Sequence, residues 1–198
     1  MTADNGGWYC AFQQLISHRT HNPAAVDSPP RPPQVYPGAP TVDPPLQIAV
    51  DVAAARVRVF MDGEVVRTYT VAVGARAYPT PRGKFMIDEV TWNPSWTPPA
   101  SEWAAKARPD PPGPANPMGR VKLRFAPLYY LHGTPDVASL GHAASHGCVR
   151  MANRDAVDLA KLIQDWSDPV RAEEIEAALQ RRVTRTIRLT HPVPLLIQ

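Results

Sequence analysis

The sequence predicts a mainly β domain, a curved sheet that closes toward a barrel or sandwich, followed by two C-terminal helices. Short runs in which apolar and polar residues alternate begin at Leu46 and recur, separated by turn residues. Apolar residues at helical spacing appear only after residue 152. Residues 1–45 hold nine of the 24 prolines and no periodic apolar pattern. We therefore expect residues 1–45 to be a disordered, proline-rich tail or linker and residues 46–198 to be one domain.

The predicted strands share a period-two alternation, with one apolar face and one polar face. They cover Leu46–Val52, Arg56–Phe60, Val65–Val73, Lys84–Trp92, Val121–Leu131 and Arg182–Leu189. Asp62-Gly63 is a typical two-residue hairpin turn between the second and third strands. Residues 93–119 are rich in proline and lack a regular pattern, which is typical of a functional loop. Trp96 and Trp103 in this loop either border a cleft or fill the edge of the core.

Two helices follow the last central strand. Asn153 is a favourable N-cap residue, and the apolar side chains behind it recur every three or four positions as far as Trp166. Asp168-Pro169 is expected to begin a second, shorter helix that ends near Leu179, because proline is tolerated in a first helical turn. Both helices should bury an apolar face against the sheet.

Composition excludes several functional classes. The net charge is +3 without a dense block of lysine or arginine, so we expect no nucleic-acid binding. We expect no membrane-spanning helix, since no run of eighteen apolar residues occurs. Residues 1–16 also show no export signal, because a basic start and a good apolar stretch are missing. A monomer without a cofactor is the simplest expectation.

The stretch Ser145-His146-Gly147-Cys148-Val149-Arg150 indicates a cysteine nucleophile. Such a thiol needs a base to take its proton and donors to hold the oxyanion that forms after attack. The backbone N–H groups of Gly147 and Cys148 are candidate donors, because glycine permits a tight turn and a close approach of substrate. We expect Ser145 to form local hydrogen bonds rather than to react, since no separate base is available to it.

Two histidines are candidates for the base. His132 follows an apolar strand and is placed to face the cysteine loop, and the Gly133 carbonyl can orient its ring by accepting the second ring N–H. His146 lies two residues before Cys148 and is expected to shape the loop rather than transfer protons. Tyr130 is expected to contact the substrate.

Three other assignments concern charge and sulfur chemistry. Arg150 either grips a substrate carboxylate with two N–H groups or forms a structural ion pair. A zinc site built from Cys148, His132, His142 and His146 is a competing interpretation, but the spacing fits no common zinc pattern. We therefore predict no metal. A disulfide between Cys10 and Cys148 would disable the thiol and is not expected.

The motifs quoted so far resemble the L,D-transpeptidase family and its YkuD-like catalytic domain. The resemblance rests on His132-Gly133-Thr134 and on the stretch from Ser145 to Met151, with similar upstream segments at 73–74, 80–85 and 112–119. It covers residues 46 to 198. It implies that residues 93–119 form a flap beside the substrate groove.

The resemblance also implies a reaction. Cys148, paired with His132, is expected to form an acyl-enzyme with a peptidoglycan tetrapeptide stem, to release D-alanine and to pass the acyl group to an amine. The amine belongs to a neighbouring stem or to a wall-anchored protein. An L,D-carboxypeptidase that uses water, and an inactive wall-binding module, are the alternatives. The expected location is the cell envelope, either the periplasm or another extracytoplasmic compartment.

Overall fold

The computed structural model of the chain describes residues 45–113, 115–168, 172–181 and 183–198. The tail predicted for residues 1–45 therefore lies outside the described residues, apart from Pro45. Residues 169–171, where the second helix was expected to start, also lie outside them. No helix in the described ranges is long and apolar enough to span a membrane.

A closed β-barrel is the framework of the described part of the chain. Its strands are β1 (Leu46–Asp51), β2 (Arg56–Met61), β3 (Glu64–Gly74), β4 (Gly83–Trp92), β5 (Val121–Ala126), β6 (Tyr129–Thr134), β7 (Ala143–Ser145), β8 (Val149–Ala152) and β9 (Arg185–Ile197). The hydrogen-bonded order is β2-β1-β9-β4-β5-β6-β8-β3-β7, and an additional β2–β3 pairing closes eight of these strands into a barrel. The predicted fold class is confirmed.

The core follows from alternation along the strands. Alternate side chains point to one side, where they are almost inaccessible to solvent, as for Val57 and Val59 in β2 and Leu123 in β5. Helix α1 (Asn153–Ser167) adds its buried face to the same cluster, and helix α2 (Ala172–Arg181) adds Ile175. Both helices were predicted.

Two strand predictions were wrong. The single strand expected over Val121–Leu131 is a hairpin, because the chain reverses at Pro127-Leu128 between β5 and β6. Leu128 has a φ of 66°, a left-handed conformation that a sequence pattern does not reveal in leucine. The last strand is also longer than expected and reaches Ile197, with a register shift against β4 in the stretch that contains Pro192.

Candidate active site

The register of three strands brings cationic and titratable side chains together. His132 of β6 lies opposite Lys122 of antiparallel β5 and beside Arg150 of parallel β8. Their neighbours Leu131 and Val149 are fully buried in the core, so alternation directs these three side chains to the opposite face of the sheet. This polar face carries the candidate site.

His132 is held in one orientation by its own backbone. Its Nδ1 lies 2.7 Å from the Gly133 carbonyl oxygen, which can only accept, so Nδ1 carries the proton and Nε2 is left with a lone pair. The side chain is buried, and burial lowers the pKa of His132 to about 4 even though the Gly133 hydrogen bond acts the other way. Arg150 and Lys122 lower it further. At neutral pH the imidazole is therefore a free base.

Asn153 fixes the segment that contains this carbonyl. Its Oδ1 accepts a hydrogen bond from the Arg120 amide at 2.9 Å, and its Nδ2 donates to the Thr134 carbonyl at 3.3 Å. A Cβ on Gly133 would lie 2.2 Å from the same Oδ1, so any larger residue here would displace the Asn153 amide. The N-cap prediction for Asn153 was wrong: the N-cap position of α1 is Ala152, and Asn153 links three segments instead.

The loop before Cys148 is shaped by Ser145 and Gly147. The Ser145 hydroxyl donates to the Cys148 carbonyl at 2.5 Å and accepts from the Gly147 amide at 3.1 Å. Gly147 has a φ of 104°, and a Cβ there would lie 2.8 Å from the Tyr129 ring. Because the Gly147 amide already has a partner, the Cys148 amide is the better candidate for an oxyanion donor.

The Cys148 sulfur lies against the β5–β6 hairpin. It is 3.7 Å from the Leu128 carbonyl oxygen, toward which a thiol can donate, and the Tyr130 amide is placed to donate to it. Burial raises the pKa of the Cys148 thiol to about 11, while the Tyr130 amide, Arg150 and Lys122 act to lower it. At neutral pH the Cys148 thiol is therefore protonated, and the His132 imidazole is also uncharged.

The rings of Trp103 and Tyr78 contact the exposed imidazole of His146. The Trp103 ring stacks on the imidazole with centroids 3.9 Å apart and planes at 14°, and the Tyr78 ring is tilted at 4.7 Å. Trp103 comes from a 3-10 helix, Glu102–Ala104, in the long loop, so this loop contacts the segment before Cys148 directly. Trp103 keeps 40% of its surface exposed, which argues against the interpretation that it fills the core edge.

Other predicted residues are placed as follows. Arg150 forms an ion pair with Asp136 at 3.6 Å, which matches the structural alternative. The Tyr130 ring lies under the Lys122 ammonium, with 4.7 Å from nitrogen to ring centroid. His142 is exposed, and within the described ranges no group of three candidate ligands is arranged to hold a metal ion. Cys10 lies outside the described residues.

Sequence reasoning missed Lys122 and Asn153 as neighbours of the site. Lys122 appeared only as a polar residue in an alternating strand, and its position depends on pairing with β6. Asn153 lies twenty residues after Gly133 in the sequence, and this spacing did not indicate that its side chain contacts the Gly133 segment. The contact between Trp103 and His146 also joins distant parts of the chain.

The fold has the architecture of an L,D-transpeptidase catalytic domain. The chain belongs to this family, since the family model described as YkuD, L,D-transpeptidase catalytic domain, matches residues 45–171. It is 30% identical over 160 residues to a YkuD L,D-transpeptidase homologue of Bacillus licheniformis, covering 80% of this chain and 74% of the relative. A homologue of the same name from Bacillus subtilis is 33% identical over 133 residues, covering 65% and 68%.

Solved structures show the same fold. The catalytic domain of the Enterococcus faecium L,D-transpeptidase aligns with a TM-score of 0.52 at 14% identity, covering 77% of this chain and 96% of that one. The Ldtfm–avibactam carbamoyl enzyme aligns with a TM-score of 0.53 at 14% identity and covers 78% of this chain. This chain spans 49% of the length of that structure.

Proposed function

We propose that this chain is a peptidoglycan L,D-transpeptidase that works through a cysteine acyl-enzyme. In the first step His132 Nε2 takes the Cys148 proton as the sulfur attacks the carbonyl carbon of the third residue of a tetrapeptide stem. A thioester forms, the bond to the terminal D-alanine breaks, and the histidine returns the proton to the departing amine. The Cys148 amide is the proposed donor to the oxyanion.

The second step reverses these roles. An amine from a neighbouring stem, or from a wall-anchored protein, attacks the thioester carbonyl and gives its proton to His132. The new amide bond forms as the carbon–sulfur bond breaks, and the proton returns to the Cys148 sulfur. His132 must be neutral at the start of each step, and its low pKa keeps it so at any pH well above 4.

One observation carries the proposal: the 2.7 Å hydrogen bond from His132 Nδ1 to the Gly133 carbonyl. This hydrogen bond leaves Nε2 as the proton acceptor. The His132 side chain lies on the same face of the sheet as Arg150, two residues after Cys148. Lys122 and Arg150 lower the pKa of both His132 and Cys148, and this shared influence supports the pairing of the two groups. The family relationship supports the same chemistry and a location in the cell envelope.

Product analysis tests this function against its alternatives. Purified tetrapeptide muropeptides are incubated with wild type and with Cys148→Ala, and products are separated and identified by mass spectrometry. A transpeptidase yields cross-linked dimers and free D-alanine. Free D-alanine with tripeptide alone indicates a carboxypeptidase, and no turnover by wild type indicates a binding module. Cys148→Ala should be inactive in either enzymatic case.

A further inference from the structure

The Lys122 ammonium acts on both His132 and Cys148, and it has no ion-pair partner of its own within the described part of the chain. Across the described residues no carboxylate lies within ion-pair distance of Lys122; the carboxylates of Asp88 and Glu89, on the neighbouring strand, contact Arg124 at 2.8 and 3.6 Å. The ammonium is instead over the Tyr130 ring. Lys122 is only half-buried, but its surroundings are dry enough that burial lowers its pKa.

A partly desolvated cation without a counter-ion is costly unless something compensates it. The cation–π contact with Tyr130 supplies part of that compensation. Glu89 acts on Lys122 only from a distance, because its carboxylate is engaged with Arg124. The ammonium therefore keeps the capacity to bind an anion that enters the site.

The anion would arrive close to the nucleophile. The Tyr130 ring contacts Lys122, and the Tyr130 amide faces the Cys148 sulfur, so one residue links the ammonium to the reacting atom. On the other side of His132, the Arg150 guanidinium is already paired with Asp136. Of the two cations that flank the histidine, Lys122 is the one without an ion-pair partner among the described residues.

We infer that Lys122 forms a carboxylate subsite that anchors the substrate beside Cys148, with the Tyr130 ring as its floor. The inference rests on the proposed function for the identity of the substrate. Two stem carboxylates have the required chemistry: that of the terminal D-alanine and, where the third residue has one, that of its side chain. An ammonium accepts either, since it acts as a compact point charge without a fixed geometry.

An alkylation experiment tests the subsite without any stem peptide. Rates of Cys148 alkylation by iodoacetate, an anion, and by neutral iodoacetamide are measured in a Cys10→Ser background, so that one thiol remains. The ratio of the two rates cancels any effect of Lys122 on thiol ionisation. Lys122→Gln should lower this ratio by roughly fivefold to tenfold at low salt, as expected for the loss of one cation that acts on Cys148.

Two controls accompany this measurement. Lys122→Arg should keep the ratio close to that of wild type, because it retains the charge. Lys84→Gln removes the same charge from an exposed residue at the start of β4, whereas Lys122 pairs with Thr91 near the end of that strand. This control should leave the ratio unchanged. An equal ratio in Lys122→Gln and wild type, with circular dichroism showing both folded, overturns the subsite.

Wild-type protein gives an independent test in case Lys122→Gln does not fold. N-acetyl-D-alanine should protect Cys148 from iodoacetamide better than its C-terminal amide does, and 1 M salt should remove the difference. Equal protection by acid and amide overturns the inference. Because neither experiment needs turnover, the subsite can hold even if the proposed transpeptidation fails.

Three modified stem peptides then identify which carboxylate binds to Lys122. Tetrapeptide stems are prepared with an amide at the C-terminus, at the third side chain, or at neither. Lys122→Gln should raise KM severalfold, with kcat changed less, for stems that keep the recognised carboxylate. The same substitution should have little effect when that carboxylate is already an amide. A KM that is independent of Lys122 for all three stems contradicts a role in substrate binding.

Discussion

The ionisation states of Cys148 and His132 give a direct test of the candidate site. With the pKa of the thiol raised to about 11, the thiolate fraction at pH 7 is only about 10⁻⁴. The rate of iodoacetamide alkylation should therefore rise about tenfold for each pH unit from pH 6 to pH 10, without a plateau. Intact mass spectrometry of a Cys10→Ser background measures this rate at a single thiol.

Replacing His132 separates ionisation from catalysis. His132→Ala should keep the slope of the alkylation profile, because burial rather than the imidazole raises the thiol pKa. It should slow acylation by a stem peptide by about 10²–10⁴-fold, the usual contribution of a general base. A wild-type alkylation plateau between pH 5 and pH 9 that disappears in His132→Ala would show a preformed thiolate–imidazolium pair and refute this reasoning.

Three further predictions concern other parts of the chain. Gln164→Leu should raise the free energy of unfolding, measured in urea, by about 1–3 kcal/mol, because the fully buried amide of Gln164 has no hydrogen-bond partner in the described structure. A free energy of unfolding below that of wild type contradicts this prediction. Trp103→Ala should raise KM for the stem severalfold, because the stacking contact with His146 is lost, while Tm stays within a few degrees. Trp103→Phe, which keeps an aromatic ring, should leave KM close to that of wild type. A carbapenem should give one adduct on wild type and none on Cys148→Ala, since its strained carbonyl meets the same thiol; equal labelling of both excludes the site.

The parts of the site that were predictable are those that local chemistry determines. Gly147 needs a left-handed backbone, and Gly133 supplies a carbonyl to the adjacent imidazole. Both requirements can be read from neighbouring residues. The β-strands were likewise predictable from alternation, because one face of the sheet must be buried.

The parts that could not be predicted depend on pairing between distant segments. Lys122 adjoins His132 only because the chain reverses at Leu128, where a leucine adopts a turn conformation more typical of glycine or asparagine. The hydrogen bonds of the Asn153 side chain form only because the fold brings Arg120 and Thr134 close to the start of α1. The spacing of these residues along the sequence does not show which of them lie close together in the fold.

The most direct test of the central claim is to trap the acyl-enzyme. Wild type is mixed with a tetrapeptide stem, quenched in acid within seconds, and examined by intact mass spectrometry and peptide mapping. We predict an added mass equal to that of the stem less D-alanine, located on Cys148 and absent from Cys148→Ala. Release of D-alanine by Cys148→Ala at the wild-type rate, or an acyl group on Ser145 instead, would contradict it.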